Sequence, residues 1–411
     1  MLDVKLIRQD PEKIRLACRK KHVQVDVDRI LSLDRERKKF QKNFDKLREQ
    51  QRKLSFNVPL PLKKLTGIKN ELKKIESRLK DVEKELQNLL LQLPNLPLEK
   101  VPEGKSEKDN VVMKEWGRRK KFDFRVKGYL ELAEKLDLID VKRAGKVSGA
   151  RFAYLKNQAV LLEFAIINLT IDHLIKKGFV LVVPPAIIKP EMMEGMGYLE
   201  RGREEMYFIE KDKIYLVGTS EQSVGPIHAN EVLAKESLPL RYLAFSPCFR
   251  REAGSYGKDT KGIFRVHQFD KIEMFSFSHP QESQKEHHFL LSCEERLMKI
   301  LKIPYRVVQM CTGDLGDPAA SKYDIEAWFP GQDRYRETHS TSNCTDFQAR
   351  RLNIRYKEKS GKLNFIHTLN GTAFAIGRII IAILENYQQR DSSIKIPRAL
   401  QGYFGGEKFI R

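Results

Sequence analysis

Cysteine is scarce in this chain of 411 residues, and its five cysteines are scattered along the sequence. No two of them form a Cys-x-x-Cys pair, the spacing found in many redox and zinc-binding proteins. The pattern argues against a disulfide framework and against a cysteine-rich zinc site. We therefore expect single thiols and no zinc, with the cysteines at Cys18, Cys248, Cys293, Cys311 and Cys344.

Long hydrophobic runs are also missing. The longest nearly apolar run, residues 179–188, contains two prolines and is too short to span a bilayer. Residues 1–12 contain early acids and no continuous apolar block, so neither a secretory signal nor a transit peptide is predicted. The sequence therefore predicts a cytoplasmic protein without a membrane segment.

Acidic residues are fewer than basic ones. The 55 Asp and Glu against 76 Lys and Arg give a formal net charge of +21, and the pI is near 9.6. A polyanion such as nucleic acid is the favoured partner, because each neutralised phosphate releases condensed counterions. A general bias toward lysine would give the same total, so charge alone leaves that alternative open.

Residues 1 to about 100 read as helical, with two apolar stripes. Alternating steps of three and four residues, typical of a coiled coil, separate Leu65, Ile68, Leu72, Ile75, Leu79, Val82, Leu86, Leu89 and Leu93. The earlier stripe consists of Leu33, Phe40, Phe44, Leu47 and Leu54. Residues 55–61, with prolines at 59 and 61, interrupt the pattern between them.

Two helices joined by so short a turn must run antiparallel, so we expect a projecting hairpin of residues 28–54 and 62–93. Basic residues outnumber acidic ones over residues 34–85. This favours contact with RNA, although a dimerisation zipper is the commoner use of heptads. Prolines after residue 93 and a charged linker at 103–110 end the hairpin. We expect a helical arm domain at 1–104 and a globular domain at 105–411.

Polar residues alternate after Ile263 where a buried strand would alternate apolar ones. An extended strand would place Arg265, His267, Phe269, Lys271 and Glu273 on one face. Residues 245–252 read as a second strand ending in Arg250 and Glu252, and the Gly-rich residues 254–262 would connect the two into a hairpin. Cations for phosphates, a ring for a base and carboxylates for a metal or an amine together suit a nucleotide.

At these residues the chain resembles the class II aminoacyl-tRNA synthetases, and among them the seryl-tRNA synthetase family. The family wording Phe-Arg-x-Glu-Ala-Gly stands at 249–254, and Arg-x-His-Gln-Phe-x-Lys-x-Glu stands at 265–273. Residues 164–177 and 179–183, a helix and a strand before prolines, resemble the first class II motif, which builds a dimer interface. Short β-rich runs mixed with helices predict an α+β domain with a mainly antiparallel sheet.

Two further segments carry the resemblance. Residues 337–340 resemble Glu-x-x-Ser, in which the glutamate and the serine bind the Mg²⁺ that accompanies ATP, and residues 342–351 match the wording that follows it. Residues 369–378 resemble the third motif, whose arginine is Arg378. The resemblance implies that Arg250 contacts the α-phosphate and Arg265 the γ end, while Phe269 and Arg378 cover the two faces of adenine.

The resemblance thus implies three sets of site residues. The ATP set is Arg250, Arg251, Glu252, Arg265, Val266, Phe269, Glu337, Thr338, His339, Ser340 and Arg378, with Arg250, Glu252 and Arg378 as catalytic residues and Glu337 and Ser340 as metal ligands. The serine set is Thr219, Ser220, Glu221, Glu273, Asn370 and Thr372. Two departures from the family wording put the catalytic rate in doubt, Thr-Ala at 372–373 in place of Ser-Gly and His339 in place of serine.

The resemblance implies a homodimeric ligase that activates L-serine with ATP and charges tRNA(Ser), with tRNA(Sec) as an additional substrate to consider. Two alternatives stay open. One is a synthetase-like ligase that loads a carrier protein, which we expect to lack the basic hairpin. The other is an inactive relative that binds RNA, which predicts losses at Arg250, Glu252, Glu337 or Arg378, and all four are present.

Overall fold

A computed structural model describes residues 1–56, 62–253, 259 and 261–411. The turn predicted at residues 55–61 and the Gly-rich connection at 254–262 lie mostly outside these residues. The chain divides into two compact units, Met1–Leu96 and Pro97–Arg411.

The first unit is helical. Its helices are Val4–Gln9, Pro11–Lys20, Val27–Ser55 and Leu62–Gln92. The first three helices have aspartate N-caps. The side chains of Asp3, Asp10 and Asp26 accept hydrogen bonds from backbone N–H groups of the first turn. The two long helices confirm the predicted segments to within a few residues.

The two long helices pack as an antiparallel pair. Arg29, near the start of the first, donates two hydrogen bonds of 2.8 Å to the carboxylate of Glu85, near the end of the second. Leu72, Val82 and Leu86 of the predicted seam are buried. The heptad pattern therefore predicted the correct packing face, since only one stripe of each helix can be removed from water by a single partner.

An eight-stranded sheet lies in the second unit. We number its strands in chain order as β1 (Val111–Trp116), β2 (Val180–Val182), β3 (Leu240–Phe249), β4 (Gln268–Ser278), β5 (Tyr305–Gln309), β6 (Ser321–Phe329), β7 (Arg334–Asn343) and β8 (His367–Ala375). Their spatial order is β1-β5-β6-β7-β8-β4-β3-β2, and every neighbouring pair is antiparallel except β2 and β3. The α+β prediction with a mainly antiparallel sheet is confirmed.

Helices and shorter strands surround this sheet. The α-helices are Tyr129–Lys135, Val141–Ser148, Gln158–Ile175, Pro190–Met196, Leu199–Gly202, Glu221–Val224, Ser283–Leu301, Phe347–Leu352 and Ile376–Tyr387. The shorter strands are Ile139–Asp140, Tyr154–Leu155, Ile187–Ile188, Phe208–Ile209, Ile214–Leu216, Val232–Ala234, Arg355–Lys357, Leu363–Phe365, Ile394–Lys395 and Phe409–Ile410. Short 3₁₀ helices lie at Glu107–Asp109, Arg203–Glu205, Gly225–His228, Lys235–Ser237, Pro280–Glu282, Thr312–Asp314 and Arg398–Phe404.

The main core lies on one face of the sheet. Helices Gln158–Ile175, Ser283–Leu301 and Ile376–Tyr387 pack there against alternate residues of the strands, such as Ile272 and Ile325. Because side chains of a strand alternate between faces, Lys271 on the same strand as Ile272, and Lys322 on the same strand as Ile325, point to the opposite face. That opposite face carries the candidate site.

Helix Gln158–Ile175 is, among the described residues, long and apolar enough to cross a membrane by length and composition alone. Part of the helix is buried in the core through residues such as Leu162 and Ile166. A core helix passes the same test, so its composition is weak evidence for a membrane span.

The strand predicted from Ile263 begins only at Gln268. The backbone before it bonds to groups outside a strand ladder, since Ile263 N–H donates to Tyr129 Oη at 3.0 Å and His267 N–H to Arg151 O at 2.9 Å. Gly262 has φ +83°, and a Cβ there would lie 1.8 Å from Tyr129 Oη. Only glycine fits this close approach.

Candidate active site

A cavity of about 630 Å³ opens on the sheet face opposite the core. Strands β4, β6, β7 and β8 supply part of its wall, and further lining residues come from segments 198–222, 250–252, 263–266, 315–319 and 377–378 and from Cys344. The predicted site residues that line it are Thr219, Glu221, Arg250, Glu252, Arg265, Val266, Phe269, Glu273, Glu337, Thr338, Ser340, Asn370, Thr372 and Arg378. Segments far apart in the sequence therefore meet at one cavity.

Carboxylates and hydroxyls cluster at one part of this wall. Glu273 on β4 accepts hydrogen bonds from Thr372 Oγ1 at 3.0 Å and from Thr219 Oγ1 at 3.5 Å, and its carboxylate also contacts the Lys271 ammonium. Thr372 is the direct cross-strand partner of Glu273, next to a register shift that places Ala373 in the core. The cluster can bind a small molecule that has an amine and a hydroxyl.

Glu221 forms the second carboxylate of this cluster. Tyr198 Oη donates to its Oε1 at 2.6 Å and Asn370 Nδ2 donates to the same atom at 2.9 Å. Within the described part of the chain, no hydrogen bond to Oε2 is found. Burial, followed by the negative charge of Glu273, raises the pKa of Glu221 to about 7. An ammonium group placed beside Oε2 would reverse this effect.

Arginines occupy the neighbouring part of the cavity. Arg250 lies just after β3, where its Nε donates to Gly218 O at 3.1 Å and its guanidinium lies 5.3 Å from the Phe269 ring centroid. Arg265 Nη1 donates to Glu252 Oε2 at 3.0 Å. Arginine stays charged and offers a planar fork, so these groups can bind phosphate oxygens along the cavity.

Phe269 and Arg378 face the same cavity, as a purine clamp requires. Arg378 lies near the start of helix Ile376–Tyr387, and its guanidinium is 4.8 Å from the Phe264 ring centroid. Its Nη1 is 3.3 Å from Glu337 Oε2. The clamp itself stays a prediction, and Phe264 is an additional aromatic wall that the sequence reasoning did not include.

A bulge explains why Glu337 and Ser340, three residues apart on β7, both reach the cavity. Ile325 pairs with His339 and Glu326 with Glu337, so the register shifts at Thr338. The extra residue returns both side chains to the same face. Desolvation would raise the pKa of Glu337, but the positive charges of Arg378, Lys322 and Arg250 lower it to about 2.

Glu337 is therefore ionised at neutral pH, and Ser340 adds a neutral oxygen. These oxygens fit Mg²⁺, a hard cation that usually takes only one or two protein ligands beside substrate phosphates. Among the described residues, no group of three or more His, Cys, Asp and Glu side chains is arranged to hold a metal ion. The donor set thus fits a metal brought with a nucleotide.

The sequence of the chain matches known proteins over its full length. A serine–tRNA ligase of Dictyoglomus turgidum is 46% identical, with 98% of each chain covered. The family model described as the seryl-tRNA synthetase N-terminal domain matches residues 1–97, and the tRNA synthetase class II core domain (G, H, P, S and T) matches residues 207–387. This chain belongs to the seryl-tRNA synthetase family.

Other relatives of the synthetase agree. A serine–tRNA ligase of Pyrococcus furiosus is 45% identical and covers 100% of this chain and 98% of its own. The crystal structure of seryl-tRNA synthetase from Pyrococcus horikoshii complexed with ATP has a TM-score of 0.94 at 41% identity, covering 100% of this chain and 99% of that one. The family and the fold implied by the sequence motifs are confirmed.

Three predicted site residues of the synthetase do not line the cavity. Ser220 is fully buried, and its Oγ donates to Ala244 O at 3.5 Å. Arg251 is exposed to solvent instead. His339 is buried with its ring 5.3 Å from Phe374 and its Nδ1 2.8 Å from Thr338 Oγ1. These side chains lie outside the cavity lining because neighbouring residues of a strand or turn point in different directions, and their substrate contacts stay predictions.

Several residues without a predicted role also line the cavity, among them Phe264, Lys271, Tyr198 and Lys322. Lys271 and Phe264 lie inside the recognised motif, where the alternation of charged residues could have indicated Lys271. Tyr198 and Lys322 lie in segments that contain no motif, so no sequence signal pointed to them. Their positions depend on the packing of distant segments.

Proposed function

We propose that this chain activates L-serine with ATP to form seryl-adenylate and pyrophosphate, and then transfers serine to the 3′ end of tRNA(Ser). The main support is that one cavity contains the carboxylate and hydroxyl cluster together with two arginines and an aromatic ring. A small amino acid and a nucleotide can therefore lie in contact. Family membership supports the same reaction.

The carboxylate cluster suits serine. Glu221 and Glu273 can bind its ammonium group, while Thr372 and Asn370 can hydrogen-bond its hydroxyl. Threonine adds one methyl group, which costs roughly 1–3 kcal/mol of discrimination, whereas alanine would leave buried polar groups unpaired and would be rejected more strongly.

The arginines suit the phosphates of ATP. The serine carboxylate is already a nucleophile and attacks the α-phosphorus, so the P–O bond to pyrophosphate breaks without a general base. Negative charge develops on the α-phosphate oxygens, and Arg250 can stabilise it from the position beside Phe269. Arg265 would neutralise the leaving pyrophosphate, while Phe269 and Arg378 hold the adenine. Positioning and charge therefore dominate catalysis.

Glu337 and Ser340 would hold Mg²⁺ with ATP. When bound, the ion supplies charge neutralisation to the phosphate oxygens. Asp324, two residues from Lys322 on β6, lies nearby, and burial raises its pKa to about 7 against the positive charge of Lys322. Near neutral pH, Asp324 can therefore gain or lose a proton beside this position.

The first unit would bind tRNA through its long basic hairpin, with tRNA(Sec) as a second candidate. The chain would act in the cytoplasm, where its tRNA is found, and residues 1–104 and 105–411 would form the tRNA-binding and catalytic domains. Heptads packed within one chain support this role, since the seam is already used between the two helices.

A second copy of the chain would cover an apolar face of the catalytic unit. Phe164 and Leu161 on helix Gln158–Ile175 are 57% and 52% exposed, and Val180 on β2 is 58% exposed. β2 is an edge strand of the sheet. We therefore expect a homodimer, and Phe164→Asp should convert it to a monomer in analytical ultracentrifugation, whereas a monomeric wild type would contradict this interface.

ATP–pyrophosphate exchange with each of the twenty amino acids tests the activation step. Serine alone should support rapid exchange. Arg250→Ala should lower the rate by about 10²–10³ because a charge-stabilising donor is lost. Arg296→Ala is the control, since Arg296 is exposed on helix Ser283–Leu301. Exchange that survives in Arg250→Ala would refute its role, and exchange with another amino acid would refute serine as the substrate.

Deletion of residues 34–90 tests the hairpin. The shortened chain should retain serine-dependent exchange, because the cavity residues all belong to the second unit. It should lose tRNA charging. Charging at the wild-type rate would show that the hairpin does not carry the tRNA.

A further inference from the structure

A strongly basic segment crosses the surface of the second unit between β1 and helix Tyr129–Lys135. Residues 117–128 contain six Lys and Arg and one acid, Asp123. Arg118, Arg119, Lys120 and Lys121 are consecutive and exposed on irregular backbone. We call these four residues the basic patch.

Aromatic rings hold one member of the basic patch in place. Arg119 Cζ lies 4.5 Å from the Trp328 ring centroid and 4.9 Å from that of Tyr335. Arg306 Cζ lies 5.0 Å from the same Tyr335 ring. Stacking on Trp328 and a hydrogen bond with the Tyr335 side chain order the Arg119 guanidinium, so the patch is anchored on the sheet.

The anchoring rings lie on the sheet face that carries the cavity. Trp328 on β6 is an even number of residues from Lys322, which lines the cavity, and Tyr335 on β7 is two residues from Glu337, which also lines it. Two residues of an extended strand span about 7 Å. The basic patch therefore adjoins the Glu337 end of the active-site cavity.

Positive charges lie close together around Lys120 of the basic patch. Partial burial and the positive charge of Lys395 both lower the pKa of Lys120, whose ammonium lies 4.8 Å from the Phe122 ring centroid. Phe122 in turn packs edge-on against Phe124, with centroids 5.2 Å apart. Neighbouring cations repel each other, and an anion bound between them would remove that cost.

We propose that the basic patch binds the phosphate backbone of the tRNA acceptor strand while the 3′-terminal adenosine enters the cavity. The proposal rests on the proposed function. Inside the cavity, Arg250 and Arg265 already match the phosphates of ATP, so further cations along the same sheet face match a longer polyanion. Phosphates bind cations regardless of base sequence, and the patch therefore positions the strand without selecting it.

A triple variant of the full chain, Arg118→Ala with Lys120→Ala and Lys121→Ala, tests the proposal. Arg119 is kept because it packs on the rings. The control removes three charges from another exposed surface of the same unit, through Lys357→Ala, Lys359→Ala and Lys362→Ala. Both variants are compared with the wild type in ATP–pyrophosphate exchange, in aminoacylation of a serine tRNA transcript, and in equilibrium binding of that transcript by fluorescence anisotropy across a salt series.

The patch variant should raise the KM and the Kd for tRNA about ten-fold or more at 0.1 M salt, and its plot of log Kd against log salt should be less steep by about 2, since each phosphate contact contributes about 0.7–0.9. Exchange should stay within about two-fold of wild type, because the activation step needs no RNA. An unchanged Kd and salt slope, or equal losses in the control variant, would overturn the proposal.

Failure of the proposed function gives a different result. In that case the wild type shows no serine-dependent exchange, while anisotropy still reports on the patch. Weaker and less salt-dependent tRNA binding by the patch variant would then support the contact between patch and RNA, although the proposed reaction had failed. Unchanged binding would contradict both the contact and the proposed reaction.

Discussion

The pKa of Glu221 predicts that serine binding weakens below neutral pH. Burial and Glu273 raise this pKa to about 7, so ionising the carboxyl in the empty site costs about 3 kcal/mol relative to a solvated glutamate. Only the ionised form can pair with the serine ammonium. About one carboxyl in eleven is ionised at pH 6 and about ten in eleven at pH 8, which predicts a roughly ten-fold higher KM for serine at pH 6.

The assay is ATP–pyrophosphate exchange at saturating ATP between pH 6 and pH 8. The buried histidines do not interfere, because burial lowers the pKa of His339 to about 3 and that of His287 to about 4. Asp324 titrates in this range, but its neighbours are Glu337 and Ser340, so its effect should fall on the KM for ATP.

Glu221→Gln provides the decisive comparison. The amide oxygen can still accept from Tyr198 and Asn370, so the fold should be kept, while the loss of charge should raise the KM for serine about 10- to 100-fold at pH 8. That KM should no longer depend on pH. Glu236→Gln, at an exposed acid in Lys235–Ser237, is the control and should behave as the wild type. A flat wild-type profile, or a Glu221→Gln profile that follows the wild type, would refute the reasoning.

Two further predictions concern stability. Burial and the adjacent Asp270 carboxyl raise the pKa of Glu163 to about 8, so its favourable contribution is fully present below about pH 4.5 and is lost as pH rises to 8. Glu163→Gln should therefore match the wild type near pH 4.5 and gain a few kcal/mol relative to it by pH 8.5 in denaturant unfolding, and a gain that does not grow with pH would contradict this. Gly371→Ala places a Cβ 2.9 Å from Glu294 Oε1 inside the sheet, which should cost about 1–3 kcal/mol and raise the KM for serine, because Gly371 lies between two residues of the serine cluster. The control is Gly67→Ala on the exposed hairpin helix, where the added Cβ would meet nothing within 4 Å and should stabilise the protein by about 1 kcal/mol. A Gly371→Ala protein as stable as the wild type would show that the strand adjusts freely.

Much of the architecture was predictable because its cause is local. The heptad stripe of the first unit identified the buried face of Leu62–Gln92, since a 3.6-residue period brings such residues to one side of a helix whatever its partner. The motif residues Arg250, Glu273 and Arg378 also line one cavity, and their roles there stay predictions. Charged residues in a segment that is expected to be buried stand out in the sequence, because burying a charge without a function would cost free energy.

The alternation pattern failed where the backbone left the strand. Residues 263–267 have the spacing of a strand, yet their backbone groups bond to Tyr129 and Arg151, which are distant in sequence. Ser220 and His339 lie outside the cavity lining for a related reason, because a motif identifies a segment but not the direction of each side chain in it. The Thr338 bulge decides that direction on β7.

The sequence by itself determined the antiparallel hairpin, the α+β class and the family, since the periodicity and the motif residues lie within short stretches of the chain. Only the tertiary structure decided that Tyr198, Lys271 and Lys322 line the cavity and that burial raises the pKa of Glu221 to about 7. It also decided that Arg119 packs on Trp328. Proton affinity and stacking depend on which groups remove water from one another, and in this fold those groups come from strands that are adjacent in space and remote in sequence.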